Sequence, residues 1–289
     1  MKTDNRFLEF FKQFKKNRSA MVGLFIAIIL VTFAIFAPLI APFAPDAQDL
    51  TNRLIPPSWG DGGSIAHLLG TDDFGRDLFS RIVYGARISI MVGTISVGIS
   101  LFFGLVMGVF AGYYGGKVDL VIMRIVDIML SVPAILLAIV IVAILGPSLY
   151  NAMIAIGIVG VPTYARIVRA SVLAEKNKEY VIASRVNGSS NGRLMFSVIL
   201  PNCTTPIIVQ ATMGFASAVL EAAGLSFLGL GAQPPTPEWG AMLADSLQYI
   251  TTASWMILYP GIAIFLTVLG FNLIGDGLMD VLDPKLKEK

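Results

Sequence analysis

Glu179-Tyr-Val-Ile-Ala-Ser-Arg-Val-Asn-Gly188, a polar span, then Val198-Ile-Leu-Pro201: this passage separates two long apolar segments. Arg166, Arg169, Lys176, Lys178, Arg185 and Arg193 lie within or beside it. Residues 172–187 read as a short helix on a membrane surface, with Ala183 and Ser184 forming a smooth patch and Gly188 closing it as a left-handed cap. No side chain on such a patch would hold another protein's groove away from the backbone. Taken alone, the same residues also read as an ordinary loop between two membrane helices.

Composition says that the flanking segments are membrane spans. The 289 residues are 55% hydrophobic and only 14% charged, with a mean hydropathy of +0.76. A soluble domain would carry roughly 25% charged residues. A net charge of +2, with no basic stripe interleaved with aromatics, argues against a nucleic-acid partner. The single cysteine, Cys203, excludes an intrachain disulfide and a Cys-rich metal cluster, and the single histidine, His67, leaves no partner for a zinc site or a triad.

Six spans are predicted, making an all-α integral membrane protein. Residues 1–18 are basic, with Phe7, Phe10, Phe11 and Phe14 at helical spacing, which suits either an interfacial helix or a tail that only anchors orientation. Residues 19–45 hold no charge and form a retained first helix ending among Pro38, Pro42 and Pro45, too long an apolar run for a cleaved signal peptide. A polar excursion fills residues 46–87. A second uncharged span covers residues 88–116, with Gly104, Gly108 and Gly112 on one face for close helix packing. A third runs from Asp119 to Leu145, with a kink expected at Pro133 and with Arg124 and Asp127 near its start, spaced to pair with each other. A fourth runs to about Ala165 and a fifth covers about 199–220, ending at Glu221. Residues 222–240 hold too many Gly and Pro to span as a helix and read as an outer loop or re-entrant segment. Residues 246–275 form the sixth span.

Positive charge orients these spans. Six Lys or Arg precede the first helix, six follow the fourth, three close the chain, and none follows the fifth. Both termini are therefore expected in the cytoplasm. The acidic cluster Asp72, Asp73 and Asp77 lacks the spacing of a calcium loop, and no G-x-x-x-x-G-K-[ST] phosphate cradle occurs.

Three stretches carry a family resemblance. Ala183-Ser184, Gly188 and Val198-x-Leu200-Pro201 resemble the coupling loop of ABC importer permeases, whose pattern is Glu-Ala-Ala, three residues, Gly, nine residues, Ile-x-Leu-Pro; here Ile182 replaces the Glu and Ser184 the second Ala. His67-Leu-Leu-Gly-Thr-Asp-Asp-Phe-Gly-Arg-Asp77 with Ser80-Arg-Ile-Val-Tyr-Gly-Ala-Arg87, and the run Gly224 to Gly240, resemble permeases of the dipeptide and oligopeptide group. The likeness covers roughly residues 66–283 and is nearest to the second permease chains of dipeptide importers.

The resemblance implies a type I importer permease: a five-helix core, one extra N-terminal helix and a cytoplasmic coupling helix. The expected organisation is a cytoplasmic or interfacial segment 1–18, a first helix and external loop 19–87, a permease domain 88–283 with its coupling loop at 172–192, and a cytoplasmic tail 284–289. It further implies an ATPase-coupling role for Ala183, Ser184, Gly188, Leu200 and Pro201. Implied partners are a second homologous permease chain, two ATPase subunits that hold ATP and magnesium, an extracytoplasmic peptide-binding protein and the lipid of a bacterial inner membrane. No cofactor is expected in this chain.

Transport of dipeptides by alternating access is therefore the leading reading, with longer peptides, haem or a nickel chelate as other cargoes. Gln210, Thr212 and Asn272 are the candidate wet lining of a pathway, although each equally suits an interhelical hydrogen bond. An intramembrane enzyme lacks a base or paired carboxylates beside Ser131, Ser217 or Asp127, and a stand-alone ion-coupled transporter lacks an internal repeat.

Overall fold

A computed structural model describes residues 11–282, in which all long elements are helices. Phe7, Phe10 and the tail 284–289 lie outside the described residues. Phe14 is buried beside Ala20 and Val281, so the chain's first described turn is tied to its last helix.

Helix α1 (Arg18–Ile40) starts where the Asn17 side chain accepts from the Ala20 amide at 3.1 Å. Pro38 lies inside its last turn, with non-helical backbone at Phe36. Proline has no amide to offer the carbonyl four residues back. Arg87, reaching across from the next helix, donates instead to the Ala34 and Ile35 carbonyls.

That next helix, α2 (Leu78–Tyr114), begins ten residues before the expected position and includes Arg81 and Arg87. At 37 residues it is about 55 Å long, well beyond a ~30 Å hydrocarbon core, so charged turns project from it. Asp77 caps its start by accepting from the Ser80 amide at 2.7 Å and also contacts His67 Nδ1 at 3.0 Å. Beside this cap, buried Arg76 pairs with buried Asp72 at 2.6 Å, and Arg81 Nε lies 3.6 Å from the same carboxylate. Burial and the neighbouring Asp72 push the Asp73 carboxyl above its ordinary range, and burial does the same to Asp245. The acidic run that the sequence excluded as a calcium loop is thus matched by arginines. Arg76→Met is expected to destabilise the protein by about 3 kcal/mol, because removing one partner strands a buried charge; thermal unfolding in detergent measures it.

The expected third span is two helices, α3 (Gly116–Leu130) and α4 (Ala134–Leu145), set at 90° to each other. Pro133 does more than kink the chain: it withholds an amide and keeps Val132 out of the helical region, while Ser131 Oγ donates to the Ile128 carbonyl at 2.7 Å. Arg124 and Asp127 do not pair with each other. Helix α3 runs along the end of α5 (Leu149–Glu175), so Asp127 meets Arg166 at 2.7 Å and Asp119 meets Arg169 at 2.6 Å. These partners belong to the fourth span, which continues ten residues past the expected Ala165.

Helices α2 and α5 form the central pair. Ser96, Ser100, Gly104, Gly108 and Gly112 are all buried and recur every four residues along α2. Ser96 Oγ donates to the Met153 carbonyl at 3.1 Å and Ser100 Oγ to the Gly157 carbonyl at 2.7 Å. Below them, Cβ atoms built on the three glycines would lie within 3 Å of Tyr164, Val168 and Val172. A row of small residues brings two backbones close in lipid, where dispersion and hydrogen bonds replace the hydrophobic drive.

The remaining boundaries also move. After α6 (Glu179–Val186) the chain winds through residues 191–203 into α7 (Thr204–Phe227), so Glu221 lies inside a helix rather than ending it. Of the broken segment 222–240, only residues 228–238 are loop. Helix α8 (Trp239–Ser246) then packs against α7 and against α9 (Trp255–Leu282), the last span. Glu238 caps α8 by accepting from the Ala241 amide at 2.8 Å. Five helical stretches, one of them running from Asn191 through the winding into α7, are long and apolar enough to cross a membrane, and the bent pair α3–α4 makes a sixth where it is taken as one span.

Candidate coupling surface and transmembrane cavity

Helix α6 is shorter than the predicted 172–187, because residues 172–175 belong to α5 and the chain turns at residues 176–178. The turn is braced: Lys178 Nζ and the Tyr180 hydroxyl each donate to Glu175 at 2.5 Å, and Lys176 Nζ donates to the Gly112 carbonyl at 2.8 Å. Burial, then the hydrogen bond to Glu175, pushes the Tyr180 phenol up to about 12, which keeps it a donor at neutral pH.

One residue of α6 faces inward. Val181 is fully buried among Val168, Val172, Leu194 and Ile199, and Leu200 packs against the same cluster. The helix is thereby keyed to both α5 and the lead-in to α7. Its other face is open, with Ala183 exposed, Ser184 half-buried, and Ile182 and Val186 exposed beside them.

The helix end matches expectation in detail. Gly188 has φ +79°. Its amide donates to the Arg185 carbonyl at 3.0 Å, and the Ser189 amide donates to the Ser184 carbonyl at 3.2 Å. That pair of bonds is the Schellman closure, which requires the left-handed residue that glycine supplies without steric cost. Ser184 Oγ and Ser189 Oγ, 2.9 Å apart, tie the turn down. Pro201 is exposed, at the start of the 3₁₀ turn Leu200–Cys203.

Of the three lining candidates, Gln210 borders a cavity. That cavity, about 270 Å³, opens between α2, α5 and α7 beside the α3–α4 break. Ser96, Ser100, Tyr164, Ser217 and Glu221 border it too. The Thr212 hydroxyl donates to the Ile208 carbonyl of its own helix at 3.0 Å, and Asn272 is exposed on α9; neither borders the cavity. Ser217 and Glu221 were missed as lining residues, yet their spacing shows them. From Gln210, Gly214, Ser217 and Glu221 fall at steps of four, seven and eleven, one face of a helix.

A projecting helix between two membrane spans, and a cavity with several polar side chains beside a broken span, fit a protein that moves something across a membrane when pushed from one side. Residues 104–288 match the family model described as binding-protein-dependent transport system inner membrane component. The chain belongs to that family. It is therefore an integral membrane permease subunit of an ABC importer and not itself an enzyme. Residues 5–57 match a second model, the N-terminal transmembrane domain of oligopeptide transport permease C. The dipeptide transport system permease protein DppC of Haemophilus influenzae is 53% identical over 97% of this chain and 95% of that one. That of Escherichia coli K12 is 56% identical over 97% and 93%. A protein of Pseudomonas aeruginosa carrying a di/tripeptide name is 53% identical over 96% and 92%.

The permease also shares its fold with a solved structure, the methionine ABC transporter MetNI in inward-facing conformations. A chain of that structure aligns with a TM-score of 0.57 at 20% identity, covering 71% of this chain and 98% of its own. Among the described residues, no group of three or more His, Cys, Asp or Glu is placed to hold a metal ion.

Proposed function

We propose that this chain is one of the two membrane halves of a bacterial inner-membrane importer for dipeptides. Its counterpart is a second, homologous permease chain. Two ATPase subunits hold ATP and magnesium on the cytoplasmic side, and a peptide-binding protein delivers cargo on the other. The relatives' names support the cargo. The observation that carries the coupling role is α6: eight residues, keyed inward by Val181 alone, capped by Gly188, and bare on the opposite face.

The mechanism follows from how α6 is held. An ATPase groove seats on Ala183 and Ser184, with Gly188 fixing where the helix ends and Leu200 and Pro201 shaping the chain's return to α7. When the ATPase pair closes, α6 moves as a unit. Val181 and the Glu175–Tyr180 brace pass that displacement to α5 and α7, and both border the cavity. Its opening alternates between the two sides as those helices tilt.

Orientation gives a direct test. On a Cys203→Ser background, Ser190→Cys should react with a membrane-impermeant thiol reagent only from the cytoplasmic side, and Thr236→Cys only from outside. The reverse pattern sinks the coupling role. Uptake of labelled L-Ala-L-Ala by membrane vesicles should require ATP and the co-purifying ATPase chains; uptake by this chain alone sinks the importer reading. The oligopeptide name on the N-terminal match favours a second reading, longer peptides, which competition by tri- and tetra-alanine would reveal.

A further inference from the structure

Glu221 is the anomaly of the cavity. It lies within the span α7, half-buried, and borders the cavity. Among the described residues it makes no hydrogen bond and no ion pair. An ionisable side chain inside a membrane is costly to hold, and its usual explanation is a partner of opposite charge or a place on a transport route. No Lys or Arg borders the cavity, so that partner comes from outside this chain.

The chemistry around it narrows the choice. The hydroxyl protons of Ser96 and Ser100 are committed to backbone carbonyls, so both serines offer only lone pairs to the cavity. The Ser217 hydroxyl faces the Met213 carbonyl at 3.4 Å. The Gln210 amide and the Thr163 hydroxyl have no protein partner among the described residues, and Gln210 is the free donor on the α7 face. Glu221 and Gln210 are thus the acceptor and donor poles of one stripe, about 16 Å apart along the axis. A peptide entering from the end remote from α6 meets a carboxylate first, and its strongest donor is the α-ammonium.

We propose that Glu221 receives the α-ammonium of a peptide in transit, making this end of the cavity a binding station within the membrane. An extended dipeptide spans only about 7 Å. Held at Glu221 it reaches Ser217, one turn away, but not Gln210, which is the next contact as the peptide advances. The inference rests on the dipeptide reading above and assigns a recognition residue within it.

The assembled importer in vesicles tests this, with L-Ala-L-Ala and its N-acetyl form as probes. In a Cys203→Ser, Ser217→Cys protein, L-Ala-L-Ala should protect the new thiol from a methanethiosulfonate reagent. N-acetyl-L-Ala-L-Ala should need at least about tenfold more, the worth of one lost charge pair in a partly wet site. Adding Glu221→Gln should make the two peptides equal. In uptake, Glu221→Gln should fall by at least about tenfold while Glu221→Asp stays within about threefold of the parent. Equal protection by both peptides with Glu221 present, or full uptake by Glu221→Gln, overturns the proposal. So does loss of the partner permease from the Glu221→Gln complex, which would make that chain the source of the missing charge. If the parent complex imports no L-Ala-L-Ala, the dipeptide reading itself fails; if it imports and only the Glu221 comparisons are flat, this inference alone fails.

Discussion

Gly188→Val should leave a permease that inserts and assembles but takes up peptide at least about tenfold more slowly, a loss that corresponds to about 1.4 kcal/mol in the coupled step. A Cβ at Gly188 meets nothing within 4 Å, so the substitution creates no clash. Its whole cost is conformational: at φ +79° a β-branched residue is strained by about 1–3 kcal/mol. The chain relieves that strain by giving up the Schellman bonds from Gly188 and Ser189. An eight-residue helix is too short to hold its shape without its ends and its packing. The last turn of α6, carrying Ala183 and Ser184, then frays where a partner would grip it. Val181 keeps its burial, so the membrane body is untouched. Gly188→Asn is the control, since asparagine tolerates the left-handed region, and it should retain most uptake. ATP hydrolysis and uptake measured on the same vesicles separate the cases. Normal uptake by the valine variant would remove Gly188 from the coupling surface.

Gly108→Leu should have the larger effect on folding, with little monodisperse protein recovered from the membrane. A Cβ there lies 2.6 Å from both the Ala165 carbonyl oxygen and Val168 Cβ. Backbone cannot step aside as a flexible side chain does, so α2 and α5 must separate. Overpacking a tight interface by a few atoms costs about 1–3 kcal/mol, and separation also lengthens the hydrogen bonds from Ser96 and Ser100 that pin the same pair. Gly98→Leu on the same helix is the comparison, because a Cβ there meets nothing within 4 Å. Fluorescence-detected size exclusion and thermal unfolding of the two variants give the contrast. Equal yields would mean that the glycine row is dispensable.

Local pattern alone determined a good deal of this protein. Uncharged runs located the spans because lipid forces every backbone amide to be satisfied within its own helix. The four-residue recurrence of Gly104, Gly108 and Gly112 located a close helix contact. The step from a polar helix to Gly188 located a cap, because a left-handed residue there is a demand of the backbone itself. Each of these signals depends on neighbours in sequence.

Tertiary structure decided what charges do inside the spans. Arg81 and Arg87 read as too polar for a membrane helix, yet α2 includes them: the Pro45 and Pro235 carbonyls take up Arg81 donors beside the Asp72 charge, and the Ala34 and Ile35 carbonyls take up those of Arg87. Asp127 reads as a partner for Arg124, but α3 lies along α5, so Arg166 reaches it first. Pro133 announces a bend, while the 90° turn depends on what α3 and α4 each pack against. Glu221 reads as a helix end because a lone carboxylate is expected to leave the lipid; it stays in α7 because the helix borders a cavity there rather than lipid. A charge's cost is set by what surrounds it in three dimensions, and no run of residues along the chain states that.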